Sequence, residues 1–367
     1  MNDYIRSKFI VKMSKNLNQV NYFQNLKNYC FGFKIFILFI CLILFQSCLV
    51  KNAKPDKIQT VTVYTDFLSE NDKIIFKQFK KSEKIKVYYK VLPSDSILEI
   101  IRLEKYNSFA DLILLHGADR LLEGGKMNLF RQIDPAEINP LMDENYFSKN
   151  NLWCAISKSP IVMIYNKNLL SGDTIKFYNE TNLPKWNGKI ALQNSKNTTI
   201  KVLGISMLNL KSRKHKNFIS NLNKQTQGNP KGDDLTQIKK ISAVQSHLAF
   251  IELSSLVSAN QKKDTLSKKL YRNISVIFPS QTQKGTFYNV TGAGIYKYAR
   301  NPENAQKLLQ YLTSKKAQYA FSSGRFEFPV LTDVKADPRL QEFGSFRGRF
   351  VANRLGNKAK KKELMLK

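Results

Sequence analysis

"TVTVYTDFLSENDKIIFKQFKKSEKIKVYYKVLPSDSILEIIRLEKYNSFADLILLHG", residues 60–117, alternates between two hydrophobic periods. Residues 60–65 are short and β-branched, a strand, whereas in 70–82 the apolar Ile74, Ile75 and Phe79 recur at helical spacing. Strand character returns over 84–92. A second helix is predicted over 94–106 with Ser94 or Asp95 as its cap, and 109–117 is a buried strand ending in Gly117. Strand, helix, strand, helix, strand in so short a span means an α/β protein with a parallel sheet.

The same logic extends downstream. Residues 154–170 contain a strand leading to a turn at Asn166, and 188–194, 247–253 and 274–280 are further strands with helices between them. One helix is predicted over 301–323, with Pro302 in its first turn, Leu308, Leu309 and Leu312 on one face, and a break before Gly324. In open α/β sheets ligands bind beyond the carboxyl ends of the strands. The informative residues are therefore those that follow "VTVY", "LILL", "AIS", "IALQ", "LAFIE" and "IFPS".

Upstream, the apolar run from Ile35 to Phe45 supplies only about half of the roughly 20 residues that a membrane span needs. It follows a cationic stretch containing Arg6, Lys8, Lys12, Lys15, Lys27 and Lys34, the pattern of an export signal. The end of the run, Leu44-Phe45-Gln46-Ser47-Cys48, resembles a bacterial lipoprotein box, which implies lipidation of Cys48. Residues 1–47 are thus expected to be a signal peptide, and the polar segment 48–57 a tether.

A chain 43% hydrophobic and 11% aromatic is globular rather than disordered. The formal charge of +31 comes from lysines spread along the whole chain, with a cluster only at Lys358, Lys360, Lys361 and Lys362. No nucleic-acid recognition motif accompanies it, so a nucleic-acid partner is not expected. Cys30, Cys41 and Cys48 belong to the export segment, which leaves Cys154 alone and excludes a disulfide framework or thiolate metal site. His116, His215 and His247 stand outside any hydrolase or metalloenzyme motif, and "TGAG" (291–294) lacks the remainder of a phosphate loop. Its glycines permit close backbone packing. Neither an enzyme nor a cofactor is expected.

The blocks "VTVYTDFLSEND", "FADLILLHGADRLLEGGKMNLFRQI", "PIVMIYNKNLL", "LPKWNGKIALQNSKNTT", "GNPKGDDLTQIKKI" and "GTFYNVTGAGIYKYARNPENAQKLLQYLTSKKAQYAFSSGRFEFPV" occur in an order that resembles the periplasmic solute-binding proteins of ferric-iron ABC importers. That resemblance implies a two-lobed type 2 periplasmic-binding fold, each lobe a mixed, mostly parallel sheet flanked by helices. Lobe 1 would comprise 58–157 plus 285–335, and lobe 2 would comprise 158–284 plus 336–367. It also implies a small-molecule solute, an inner-membrane ABC permease as partner, attachment to the envelope membrane through the lipid, and a monomer.

The family's ligands do not carry over. Its adjacent tyrosine pair falls on Ser254-Ser255, its first-loop ligand on Leu68 or Ser69, the tyrosine after its "GKIA" strand near Thr198, and an arginine on Ser159. A serine hydroxyl ionises far above neutral pH and cannot replace a tyrosinate. The candidate solute-binding residues are therefore Thr65, Asp66, His116, Ser157, Ser159, Asn194, Thr198, Glu252, Ser254 and Ser255, with Lys158 among them in sequence and no metal ligand set. Such a cleft suggests a small anionic or polyoxygenated solute. Ferric binding through other ligands, and a non-transport envelope lipoprotein acting as a sensor or complex component, are the alternatives.

Overall fold

The computed structural model describes residues 58–171, 175–208, 217–226, 228–261 and 271–350. The export segment with Cys48, the tether, His215 and the basic tail lie outside the described residues. In chain order the elements are β1 (Gln59–Thr65), α1 (Glu70–Glu83), β2 (Ile85–Val91), α2 (Ile97–Glu104), β3 (Leu112–His116), α3 (Ala118–Lys126), α4 (Pro135–Ile138), β4 (Cys154–Asn166), β5 (Ile190–Ala191), α5 (Thr198–Leu208), α6 (Phe218–Lys224), α7 (Asp234–Ser242), β6 (Leu248–Glu252), α8 (Leu253–Asn260), β7 (Ile274–Ile277), β8 (Thr286–Ile295), α9 (Pro302–Leu312), α10 (Lys315–Arg325), β9 (Phe328–Pro329), α11 (Pro338–Gln341) and β10 (Gly348–Arg349).

The opening stretch folds as its periodicity dictates. β1 lies between β2 and β3, parallel to both, with Val63 opposite Tyr89 on one side and Leu112 on the other. Ser69 caps α1 in a reciprocal box with Asp72, itself buried, and Ile75, Phe76 and Phe79 are the helix's buried apolar residues. β3 and its continuation bring in a partner far away in sequence, because β8 runs antiparallel beside it with Leu112 opposite Ile295 and His116 opposite Thr291.

β4 joins the two parts of the sheet system. Its first half, Cys154–Pro160, pairs with β8, and its second half, Ile161–Asn166, pairs with β6 and β7. A register shift between Ala155 and Ser157 marks a bulge in the first half. The strand order β2-β1-β3-β8-β4-β6-β5 therefore mixes parallel pairs at both ends with antiparallel pairs in the middle. Gly292 and Gly294 lie inside β8, where a Cβ at Gly292 would sit 2.6 Å from the Cys154 carbonyl oxygen and one at Gly294 would sit 2.6 Å from the Phe130 ring. These are close-packing glycines, as their sequence suggests.

Three expectations shift. The helix over 301–323 is two helices, because Ser314 caps a new start at Lys315 by accepting from Ala317 N–H. α10 then runs through Gly324, whose missing side chain lets it pack against Asn71 of α1, and ends where Phe326 turns left-handed at φ 54°. The second helix begins at Ile97 behind Ser96, with neither Ser94 nor Asp95 at the cap.

Two apolar clusters fill the layers between sheet and helices. The larger gathers Val61, Phe79, Trp153, Phe250 and Leu308, and the smaller gathers Ile164, Ile238, Ile251, Leu253 and Leu340 around α7 and α8. Cys154 is fully buried at the head of β4, and burial pushes its thiol up to about 12, so it behaves as a small core residue.

Candidate functional site

Strand ends from both parts of the sheet system deliver polar side chains to one place. β3 ends in His116, β6 ends in Glu252, and β8 passes between them with Asn289 and Thr291. His116 Nε2 lies 3.3 Å from Glu252 Oε1, and its Nδ1 lies 3.1 Å from Thr291 Oγ1 and 3.4 Å from Glu327 Oε1. Asn289 Nδ2 donates to the same Glu252 Oε1 at 2.8 Å, while its Oδ1 accepts from Ala118 N–H at the start of α3. Thus one carboxylate from β6 is clasped by residues from β3 and β8.

The electrostatics follow from burial and charge. Burial alone would lower the His116 pKa, but the Glu252 charge and hydrogen bond, and then those of Glu327, hold it well above the ordinary value. The proton that this pairing stabilises is fully bound below the ordinary histidine range, and its contribution is lost as pH rises through the raised value. For Glu327, burial acts upward, yet the His116 contact, the Arg325 charge and the hydroxyl of Ser157 bring its carboxyl down to about 2. Asp234 shows the opposite balance: burial and the neighbouring Glu252 charge push it up to about 6. It does so although Glu252 N–H, Ser255 Oγ–H, Thr199 Oγ–H and Gln193 Nε2–H all donate to it, at 2.7–3.1 Å.

Of the residues singled out from sequence, His116, Ser157, Ser159, Thr198, Glu252, Ser254 and Ser255 come together in and around this cluster. Ser159 Oγ donates to Ser254 Oγ at 2.9 Å, and the Thr198 hydroxyl donates to Asp119. Asp66 supports the cluster from behind by accepting from His116 N–H at 3.0 Å and lying 3.3 Å from Arg120. Thr65 and Asn194 are not brought in. The Thr65 hydroxyl turns onto Phe67 O at 2.8 Å, and Asn194 is an exposed turn residue that accepts from Lys196 N–H.

Lys158 is also absent from the cluster. Successive strand residues point to opposite faces, so Ser157 and Ser159 face the polar cluster while Lys158 reaches Tyr146 Oη at 2.7 Å and lies over the Tyr146 and Tyr288 rings. The remaining members, Asp119, Thr199, Asp234, Asn289, Thr291 and Glu327, escape a reading of strand ends alone. A faint signal exists for Asp234: in "GDD" the first aspartate, Asp233, caps α7 through Thr236, which leaves the second to turn inward.

A family model described as "Bacterial extracellular solute-binding protein" matches residues 107–347. The chain belongs to the bacterial extracellular solute-binding protein family. Among curated relatives, Iron uptake protein A1 of Synechocystis is 28% identical over 298 residues, covering 80% of this chain and 82% of the relative. Among solved structures, the IdiA (FutA) protein of Trichodesmium, described in complex with iron and citrate ligands, superimposes with a TM-score of 0.75 at 28% identity, covering 79% of this chain and 92% of that one. The apo FutA2 structure from Synechocystis matches with a TM-score of 0.76 at 24% identity over 81% and 94% of the two chains, a likeness of fold. The resemblance to ferric-iron periplasmic binding proteins and the mixed α/β periplasmic-binding fold class are thereby borne out, and the family's proteins are extracellular solute binders rather than enzymes.

Proposed function

We propose that this solute-binding protein is the capture component of an importer, lipidated at Cys48, tethered through residues 48–57 and acting as a monomer that hands its solute to an inner-membrane permease. In this reading lobe 1 is 58–157 plus 285–335, lobe 2 is 158–284 plus 336–367, and the solute lies between them. The carrying observation is the meeting of Glu252 from β6 with His116 from β3 and Asn289 from β8, at the strand ends where an α/β fold places ligands.

The solute is a small polyoxygenated organic molecule. Ser254 and Ser255 offer neutral hydroxyls, and Asp119, Asp234 and Glu252 offer carboxylate oxygens that accept hydrogen bonds from solute hydroxyls. An anionic solute fits less well, because Lys158 is committed to the opposite face of β4 and the buried charges of the cluster are mainly carboxylates. A solute other than ferric ion is supported by the serines at 254 and 255, where the family resemblance implies tyrosines, and by the absence among the described residues of a group of three or more His, Cys, Asp or Glu side chains placed to hold a metal.

A thermal-shift panel of neutral sugars and polyols, organic acids, phosphonates, thiamine and ferric salts with and without citrate tests the proposal. A solute at one hundred times its dissociation constant stabilises by about 2.7 kcal/mol. A hydroxylated organic solute is expected to raise the melting temperature. A shift confined to ferric salts would overturn the solute class.

A further inference from the structure

Glu252 holds more charge than its surroundings answer. Its Oε1 receives the Asn289 amide N–H and lies 3.3 Å from both His116 Nε2 and Thr199 Oγ1, whose single hydroxyl hydrogen goes to Asp234, but its Oε2 is buried without a hydrogen-bond partner among the described residues, on a residue only 2% exposed. Nearby, Gln193 gives its amide N–H groups to Asp234 and to the Phe250 carbonyl, and its own Oε1 is likewise buried with no partner among the described residues. A buried acceptor without a donor costs free energy, and more so when it is charged.

The other buried carboxylates around the cluster have cations. Asp72 has Arg325, Asp66 has Arg120, Asp119 has Lys201, and Glu327 has His116. His116 is shared between Glu327 and Glu252, and no Lys or Arg ion pair to Glu252 or Asp234 exists among the described residues. The Glu252–Asp234 pair is therefore short of positive charge, and Glu252 Oε2 lacks an N–H or O–H donor at the same point, beside hydroxyls suited to a polyoxygenated solute.

We propose that Glu252 Oε2, backed by Asp234, is the recognition point for a protonated nitrogen carried by the solute, an ammonium or amidinium-type group. This rests on the solute-binding reading above and narrows its polyoxygenated class to members that bear a cationic nitrogen. A charged donor supplies both missing quantities at once. Charge-assisted hydrogen bonds are about twice as strong as neutral ones, and in a low-dielectric site the Coulomb attraction adds to them. The substitution Glu252→Gln keeps the shape and one acceptor oxygen but removes the charge.

Guanidinium and urea are near-isosteric, differ in charge, and isolate this contribution without knowledge of the full solute. The full chain in mild detergent is titrated with low-millimolar guanidinium or urea against sodium chloride of matched ionic strength, with melting temperature and tryptophan fluorescence as readouts. Guanidinium is expected to bind the wild type at least about tenfold more tightly than urea, equivalent to about 1.4 kcal/mol. In Glu252→Gln the two probes are expected to bind alike. Equal binding of guanidinium and urea to the wild type overturns the inference, and that comparison needs no variant to fold. A preference that persists in a folded Glu252→Gln protein overturns the assignment to Glu252. If neutral sugars bind while guanidinium only matches urea, this inference fails and the solute-binding proposal stands; if guanidinium is preferred but no organic solute in the panel binds, the reverse holds.

Discussion

Arg325→Met is expected to lower the unfolding free energy by about 3–5 kcal/mol. Arg325 ends α10, and its guanidinium grips Asp72 of α1 with both oxygens, Nε to Oδ1 at 3.0 Å and Nη2 to Oδ2 at 2.9 Å, with side chains 2% and 1% exposed. Removing the cation leaves a buried carboxylate that is also needed to cap α1 with Ser69. It also withdraws one of the charges that hold the Glu327 carboxyl down, so the damage reaches His116. Asp72→Asn in the Arg325→Met background is expected to recover part of the loss, because the uncompensated charge is gone, though the cap, worth about 1 kcal/mol, stays weakened. Urea denaturation of the two variants measures both numbers. A loss below about 1 kcal/mol for Arg325→Met would mean that the ion pair is dispensable.

Phe250→Ala is expected to cost about 3–5 kcal/mol, by lost transfer free energy and by the cavity left behind. Phe250 is fully buried in β6 and lies in an aromatic run, stacked near Tyr178 at 6.2 Å between ring centres and edge-on to Phe218 at 6.5 Å, with Phe287 stacked on Tyr178 in turn. Its backbone opposes Met163 of β4, and its carbonyl accepts the Gln193 amide, two residues before Glu252. The same substitution therefore loosens the strand that aims Glu252. Phe250→Leu, which leaves a smaller void, is expected to retain more than half of the lost stability. Calorimetric unfolding distinguishes the two, and equal melting temperatures for wild type and Phe250→Ala would contradict the packing described.

The opening α/β stretch was legible because each element there carries its own period: Ile75 and Phe79 declare α1, and Leu112–Leu115 declare a buried strand. What local pattern could not convey is that β8 inserts between β3 and β4, since the paired residues Leu112 and Ile295 are far apart in the chain and their partnership depends on packing. The break at Ser314 was hidden for a related reason: apolar periodicity continues from Leu312 into Ala317 and Phe321, so only the cap reveals a new helix. In the site, His116 and Glu252 stood out because they terminate strands, and the serines because they lie at or just after the stretches "AIS" and "LAFIE" in sequence. Asp119, Asn289 and Thr199 did not, because a polar residue inside a helix or strand looks solvent-facing until its buried partner is known. Lys158 could have been placed correctly from sequence, because alternation along β4 puts it on the face opposite Ser157 and Ser159.

The proposed departure from the iron-binding relatives concerns oxygen chemistry: hydroxyls at Ser254 and Ser255 where phenolates are implied by family resemblance, and carboxylates committed to His116, Asn289 and helix-start donors. Titration of the purified chain with ferric ion in the presence and absence of citrate, followed by visible absorption, tests this most directly. No tyrosinate-to-iron charge-transfer band is expected, and no ferric stabilisation comparable to that given by an organic solute. A saturable coloured complex at one iron per chain would contradict it.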